Sequence, residues 1–194
     1  MKLLFASHNE FKVQEIRDLL PSGFELLGLN DLGLLSEIEE TANTFEGNAL
    51  IKAKTAFLST QIPCFSDDSG LEVEALDGAP GVFSARYAGP EKNDEANCHK
   101  LLLDLDPMMN RNARFRTVIA FVTNNEERFF HGSIEGKIVK EPKGSHGFGY
   151  DPIFQPLGWD KTFAQVDKTT KNKVSHRAIA FQEFLNFLAS VNKI

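Results

Sequence analysis

The opening of the chain constrains the fold most. Lys2 to Ala6 is a short apolar run that breaks at Ser7-His8-Asn9, after which Phe11, Ile16, Leu19 and Leu20 recur at roughly helical spacing until Pro21-Ser22-Gly23. That order reads as strand, loop, helix. A second strand reads over Phe24 to Leu29, and the acidic stretch Asp31 to Thr41, with Glu37, Glu39 and Glu40, reads as a loop. Thr44 caps a helix running to about Thr60, with Ala49, Ala53, Ala56 and Phe57 on one side, and Pro63 ends any continuation.

Further along, a brief strand at Cys64 to Ser66 leads into Asp67-Asp68-Ser69-Gly70, and Leu71 to Leu76 alternates as a half-buried strand does. The carboxylates are therefore expected at a strand edge or turn. Gly78-Ala79-Pro80-Gly81 signals a turn, and Asn93 to Leu105 reads as a helix closed by Pro107. Phe115 to Thr123 and Glu127 to Lys140 read as long strands joined at Asn124-Asn125, followed by a glycine-rich segment from Gly144 to Asp151. A last helix from about Ser175 to Val191 is expected to bury Ile179, Phe184, Phe187, Leu188 and Val191.

No repeat or linker interrupts the 194 residues, and a hydrophobic content of 42% supplies a sizeable core, so a single domain over 1–194 is expected. Seventeen Phe against one Trp and two Tyr predict that most rings are packing, because Phe brings apolar area without a polar atom to satisfy. The formal charge of -6 argues against nucleic acid as a partner, whose binders carry basic patches that displace counterions. A small anion needs only a local cluster of Lys, Arg or N–H groups and stays open. Cys64 and Cys98 are too few for a disulfide framework and are expected to be reduced core thiols. Met1 to Ala6 turns polar at Ser7, so no signal or membrane segment is read there, and a cytoplasmic setting is expected.

Several clusters carry chemistry. Adjacent Asp67 and Asp68 concentrate negative charge that a cation or hydrogen bonds must neutralise, and Mg²⁺ suits oxygen donors shared with waters and phosphates. Taken alone the tetrapeptide reads first as a surface turn. Ser7-His8-Asn9, with Lys12 one turn into the helix, offers a helix N-terminus to phosphates, or simply a helix cap. Phe148-Gly149-Tyr150-Asp151-Pro152 joins mobile backbone, two rings and a carboxylate, the makings of a base pocket or of a minicore under a loop. Lys171, Lys173, His176 and Arg177 cluster where the last helix begins, against the unfavourable end of its dipole, which suggests a nearby anion or a solvated basic patch.

Together these segments, with Thr44-Phe45-Glu46-Gly47-Asn48, Ser84-Ala85-Arg86-Tyr87 and Ser175-His176-Arg177, resemble in content and order the inosine/xanthosine triphosphate pyrophosphatases. The resemblance runs from about Leu3 to the last helix. It implies an elongated α/β domain with a long mixed twisted sheet flanked by helices and two lobes around a nucleotide cleft, assembled as a homodimer. It also implies hydrolysis of ITP, dITP and XTP to monophosphate and pyrophosphate, which cleanses the nucleotide pool. By motif, Ser7, His8, Asn9 and Lys12 would contact the triphosphate, with Asn48 and Lys52 as further substrate contacts. Asp68 would bind Mg²⁺ and help activate water beside Asp67, Glu40 would be a second metal ligand, and Ser69 would touch substrate. Phe148, Gly149, Tyr150, Asp151, Lys171, His176 and Arg177 would hold the nucleoside, Phe148 as the stacking ring. The family's first motif has a small residue where this chain has His8, a departure that bears on the shape of the loop and on its direct N–H contacts.

Water would attack the α-phosphorus in line while pyrophosphate leaves, with Lys12 and the loop N–H groups stabilising charge. Three other readings compete. One is a pyrophosphatase for modified pyrimidine nucleotides resembling the Maf-type proteins, another a nucleotide-binding protein without turnover, and the third a Ser69-His176-Asp151 hydrolase, which lacks the nucleophile-elbow pattern.

Overall fold

A computed structural model of the chain describes residues 1–17 and 19–191, the side chains of Phe11 and Glu15 excepted. The expected buried role of the Phe11 ring thus lies outside what is described. Six strands are present: β1 (Lys2–Phe5), β2 (Glu25–Gly28), β3 (Cys64–Val73), β4 (Asn112–Val122), β5 (Glu127–Ile138) and β6 (Phe154–Pro156). The helices are α1 (Glu10–Arg17), α2 (Phe45–Thr60), α3 (Asp94–Asp104), α4 (Lys168–Asn172) and α5 (His176–Val191), with short 3₁₀ turns between. One mixed sheet runs in the order β2-β1-β3-β4-β5-β6, with β1 parallel to β2 and β3, and β5 antiparallel to β6. This is the α/β class that the sequence predicts.

The chain divides into two compact units. The first comprises Met1–Asp68, Val118–His131 and Ala180–Ile194. Its strands are covered on both faces, and parity sorts their side chains. Leu3 and Phe5 of β1, Phe65 of β3 and Ile119 and Phe121 of β4 join Val13, Ile16, Phe181 and Phe184 in one cluster. Leu4, Ala6, Cys64, Ala120 and Val122 join Ala49, Ala53, Ala56 and Phe57 of α2 in another. Alternate residues of a strand leave opposite faces, so a strand buried on both sides must be apolar throughout. That explains why the opening run has no polar alternation. The stacked Phe5 and Phe65 rings, 4.6 Å apart, bear out the expectation of an aromatic core.

The second unit, Ser69–Thr117 and Gly132–Ile179, holds its own core of Leu71, Val73, Leu101, Leu105, Phe115, Ile153, Phe154 and Phe163. Both thiols are buried and reduced, and burial pushes both above the ordinary range.

Thr44 caps α2 through the Gly47 N–H and Asn93 caps α3 through the Ala96 N–H, as the sequence predicts. The polar loop at 123–126 is closed by Thr123, whose Oγ1 accepts the N–H groups of Asn125 and Glu126. Four expectations are corrected. Asp67-Asp68-Ser69-Gly70 is no turn but lies inside β3, past its pairing with β1, because the neighbouring strand β4 overrides its turn composition. The strand expected to reach Leu76 ends at Val73 and passes into a 3₁₀ turn. On α5, Ile179 and Val191 are exposed while Ala180 and Phe181 are buried, since the inward stripe is 181, 184 and 188 and position 179 points about 200° away from 181. Lys171 and Lys173 belong to the separate short helix α4 and its C-terminal cap, not to the start of α5, so the dipole argument does not apply to them.

Candidate functional site

In the first unit the predicted residues gather where parallel strands end. β1 stops at Phe5 and its pairing with β3 stops at Phe65, so Ser7-His8-Asn9 lies beyond the carboxyl end of β1 and Asp67-Asp68 lies beyond the part of β3 paired with it. Ligand sites of parallel α/β sheets form there, because each strand hands over to a helix and leaves room at its end. Parity continued from Phe65 puts Asp67 on the α1 face and Asp68, with Cys64, on the α2 face.

The neighbours agree with that division. Lys12 Nζ on α1 donates to Asp67 Oδ2 at 3.1 Å and Oδ1 at 3.3 Å, and Asp67 is only 5% exposed. On α2, Lys52 Nζ donates to Glu40 Oε1 at 2.5 Å and to the Asp67 main-chain oxygen at 2.7 Å. Burial works against the Lys52 charge, but Asp67, Asp68 and Glu40 outweigh it and hold the ammonium above its ordinary range. Asn48, fully buried on the same helix, accepts the Ala42 N–H through Oδ1, while its Nδ2 has no acceptor among the described residues. A buried donor left so is costly unless a ligand satisfies it.

The first loop spends its side chains locally. Asn9 Oδ1 caps α1 by accepting the Lys12 N–H at 3.1 Å, and Ser7 Oγ accepts the Asn9 N–H at 3.2 Å. The His8 ring is turned to neighbouring protein oxygens. Its Nδ1 lies 3.0 Å from Asn30 Oδ1 and its Nε2 3.3 Å from Ser36 O. Asn30 Nδ2 donates to His8 O at 3.2 Å and Glu10 Oε1 at 2.5 Å, which fixes the amide with its oxygen towards the imidazole. His8 therefore ties the first loop to the segment that leads to Glu40.

Glu40, Asp67 and Asp68 supply only oxygen donors. Among the described residues no three His, Cys, Asp or Glu side chains gather into a metal cage. That donor set fits Mg²⁺, which binds through one or two carboxylates and completes its shell with water and phosphate oxygens.

In the second unit, Asp151 is the hub of a polar network. It is 1% exposed, and its Oδ2 accepts from Lys171 Nζ at 2.5 Å and the Phe148 N–H at 3.0 Å. Burial pushes its carboxyl above the usual range, against the opposing pull of Lys171 and the Phe148 N–H. The Lys171 ammonium also lies 4.6 Å from the centroid of the Phe148 ring, which is 64% exposed. Phe148 is the ring available for stacking, whereas Tyr150 is buried and donates its hydroxyl to Ser84 O at 2.8 Å. Any substrate contact from Tyr150 must come from its backbone. His176 stacks on Phe115 at 4.8 Å, Arg177 is half-buried beside it in the chain, and Lys173 is exposed. Ser69 Oγ lies 2.8 Å from Thr117 Oγ1. Sequence reasoning misses Thr117, Asn30, Ser36 and Asp94, because each acts through a partner distant along the chain and stands in no motif, while Ser84 stands in a motif that names no partner for it.

Comparison with known proteins agrees with the family resemblance read from the sequence. The model of the Ham1 family matches residues 3–187. A dITP/XTP pyrophosphatase of Christiangramia forsetii is 51% identical over 189 residues, covering 97% of this chain and 100% of the relative. The solved Ham1 protein of Staphylococcus aureus superposes with a TM-score of 0.94 at 40% identity, covering 98% of this chain and 99% of the other. A HAM1 protein from Coxiella burnetii gives the same TM-score, 0.94, at 38% identity and the same coverage.

Proposed function

Since the chain belongs to the Ham1 family, we propose that it hydrolyses non-standard purine nucleoside triphosphates such as dITP, ITP and XTP, releasing monophosphate and pyrophosphate. The observation that carries this reading is the Asp67-Asp68 pair on β3 just past the end of its pairing with β1, with Lys12 on one carboxylate and Lys52 amid the rest. Two carboxylates and two lysines beyond parallel strands match a triphosphate, which needs cationic partners for its oxygens and an oxygen base for water.

The roles divide by face. Asp68, on the α2 face, orients the attacking water and takes its proton as the bond to the α-phosphorus forms and pyrophosphate departs. Asp67 acts one step back by holding the Lys12 ammonium, which neutralises phosphate charge. Lys52 keeps its proton among three carboxylates and offers the same service. Magnesium, held by Asp68 and Glu40, would supply further charge neutralisation on the phosphate oxygens. Nearly all of the acceleration would come from charges fixed in place before the reaction.

For the base, Phe148 supplies the stacking face, and Lys171, His176 and Arg177 supply donors for a 6-oxo group. Adenine reverses that pattern of donors and acceptors and would strand buried donors, a larger penalty than one lost contact. The resemblance extends the proposal to a cytoplasmic homodimer. Among the described residues no helix is long and apolar enough to cross a membrane.

The test is a panel of ITP, dITP, XTP, GTP, ATP and modified pyrimidine triphosphates, with Mg²⁺ or EDTA, scored for monophosphate and pyrophosphate. Mg²⁺-dependent release of pyrophosphate from the 6-oxopurine nucleotides other than GTP is expected. Equal hydrolysis of ATP and GTP, or release of orthophosphate, would overturn it.

A further inference from the structure

Gly149 lies between the exposed Phe148 ring and the anchored Tyr150 ring, and both polar groups of its main chain are engaged by α3. Its N–H donates to Asp94 Oδ2 at 2.6 Å, and Cys98 Sγ lies 3.4 Å from its carbonyl oxygen. Asp94 and Cys98 are four residues apart on α3, so a single face of that helix presents both. Burial, with Asp94 and Asp151 nearby, pushes the Cys98 thiol up to about 12. It therefore keeps its proton and donates it to the carbonyl.

The residues on either side are held as well. Tyr150 is 3% exposed and bonded to Ser84, and the Phe148 N–H is bonded to buried Asp151. Gly149 itself stands at φ +60, the left-handed conformation that glycine adopts without strain. The direction in which the Phe148 ring leaves the loop depends on the left-handed glycines that flank it, Gly147 at φ +80 and, on the other side, Gly149. The two side chains of α3 hold Gly149 from both ends.

We propose that Asp94 and Cys98 are positioning residues that clamp Gly149 and thereby pre-set the Phe148 ring for the purine base, governing KM and base selectivity and not the rate of bond cleavage. The inference rests on the proposed role of Phe148 in taking the base. Pre-organisation of a recognition element saves the ordering cost that binding would otherwise carry.

The experiment measures kcat, KM and melting temperature for the full-length Asp94→Ala, Asp94→Asn, Cys98→Ser, Glu95→Ala and Phe148→Ala variants, with dITP and GTP as substrates. Asp94→Ala removes a charge-assisted hydrogen bond and is expected to raise KM for dITP about tenfold with kcat within about twofold. Asp94→Asn keeps an acceptor and should recover most of that loss, as Cys98→Ser, which keeps a donor, should stay near the parent. Glu95→Ala removes a first-turn charge of α3 without touching the loop and should change neither constant. If Phe148→Ala raises KM while Asp94→Ala does not, the clamp is wrong. Equal losses in Asp94→Ala and Asp94→Asn would assign the effect to charge and also overturn it. If Phe148→Ala leaves KM unchanged, the base-site reading itself fails, and the clamp with it.

Discussion

Replacing Lys171 by Met removes one charge from a nearly dry ion pair and retains most of the aliphatic stem. Lys171 is 12% exposed and Asp151 2% by side chain, and their 2.5 Å contact is supplemented by the Phe148 N–H, which donates to the same carboxylate oxygen. Breaking one side of a buried pair costs about 3–5 kcal/mol, since the remaining charge is stranded. At about 2–4 °C per kcal/mol for a chain of this size, the melting temperature should fall by about 6–20 °C near neutral pH. The pH dependence has a definite sign. Asp151 is already raised by burial, so the native state binds its proton more readily than the unfolded chain does. Its contribution is then fully present below the ordinary carboxyl value and is lost as pH rises through the folded value. Loss of Lys171 removes the largest influence opposing that rise, so the folded value moves further up and acidification relieves the variant over a wider range. Thermal denaturation followed by circular dichroism from about pH 8 to about pH 5 should show the deficit shrinking as pH falls. The double variant Lys171→Met/Asp151→Asn should recover most of the loss, because Asn keeps an acceptor for Phe148 and no charge. A deficit under about 1 °C, one independent of pH, or no recovery in the double variant would refute the reasoning.

Other outcomes follow from the same geometry. Asp68→Asn should lower kcat by at least about a hundredfold with little change in melting temperature, and near-normal turnover would remove Asp68 from the proposed chemistry. His8→Thr restores a small residue but cuts the tie to Asn30 and Ser36, so limited proteolysis between 33 and 40 should quicken, and an unchanged cleavage rate would deny the tether. Gly147→Ala would place a methyl 2.0 Å from Asp151 Oδ2 at a φ of +80 and should destabilise by about 1–3 kcal/mol, read by urea denaturation against Gly158→Ala, which has the same φ and open space.

Much of this molecule is legible from local pattern. The unbroken apolar run before Ser7 marks a strand covered on both faces, and Thr44 and Asn93 announce helix starts because capping is a matter of a few residues. The motif residues are legible as a set for a related reason, since a phosphate site needs certain chemical groups however they are arranged. Composition misleads at Asp67-Asp68-Ser69-Gly70, whose turn-forming residues lie inside β3. Turn propensity is a weak local preference, and the sheet pairing with β4, which continues after β1 has ended, outweighs it.

The sequence by itself determined which groups are present: two adjacent carboxylates, lysines on two helices, and an aromatic loop rich in glycine. Only the tertiary structure decided what each of them touches. Strand parity sends Asp67 to Lys12 and Asp68 to the opposite face. Burial makes Asp151 the anchor of Lys171, and α3 closes on Gly149 from a position 55 residues away along the chain. Hydrogen bonds and desolvation act over a few ångströms of space, whereas a motif records only distance along the chain, so the partners of a functional group become visible when the fold brings them into contact.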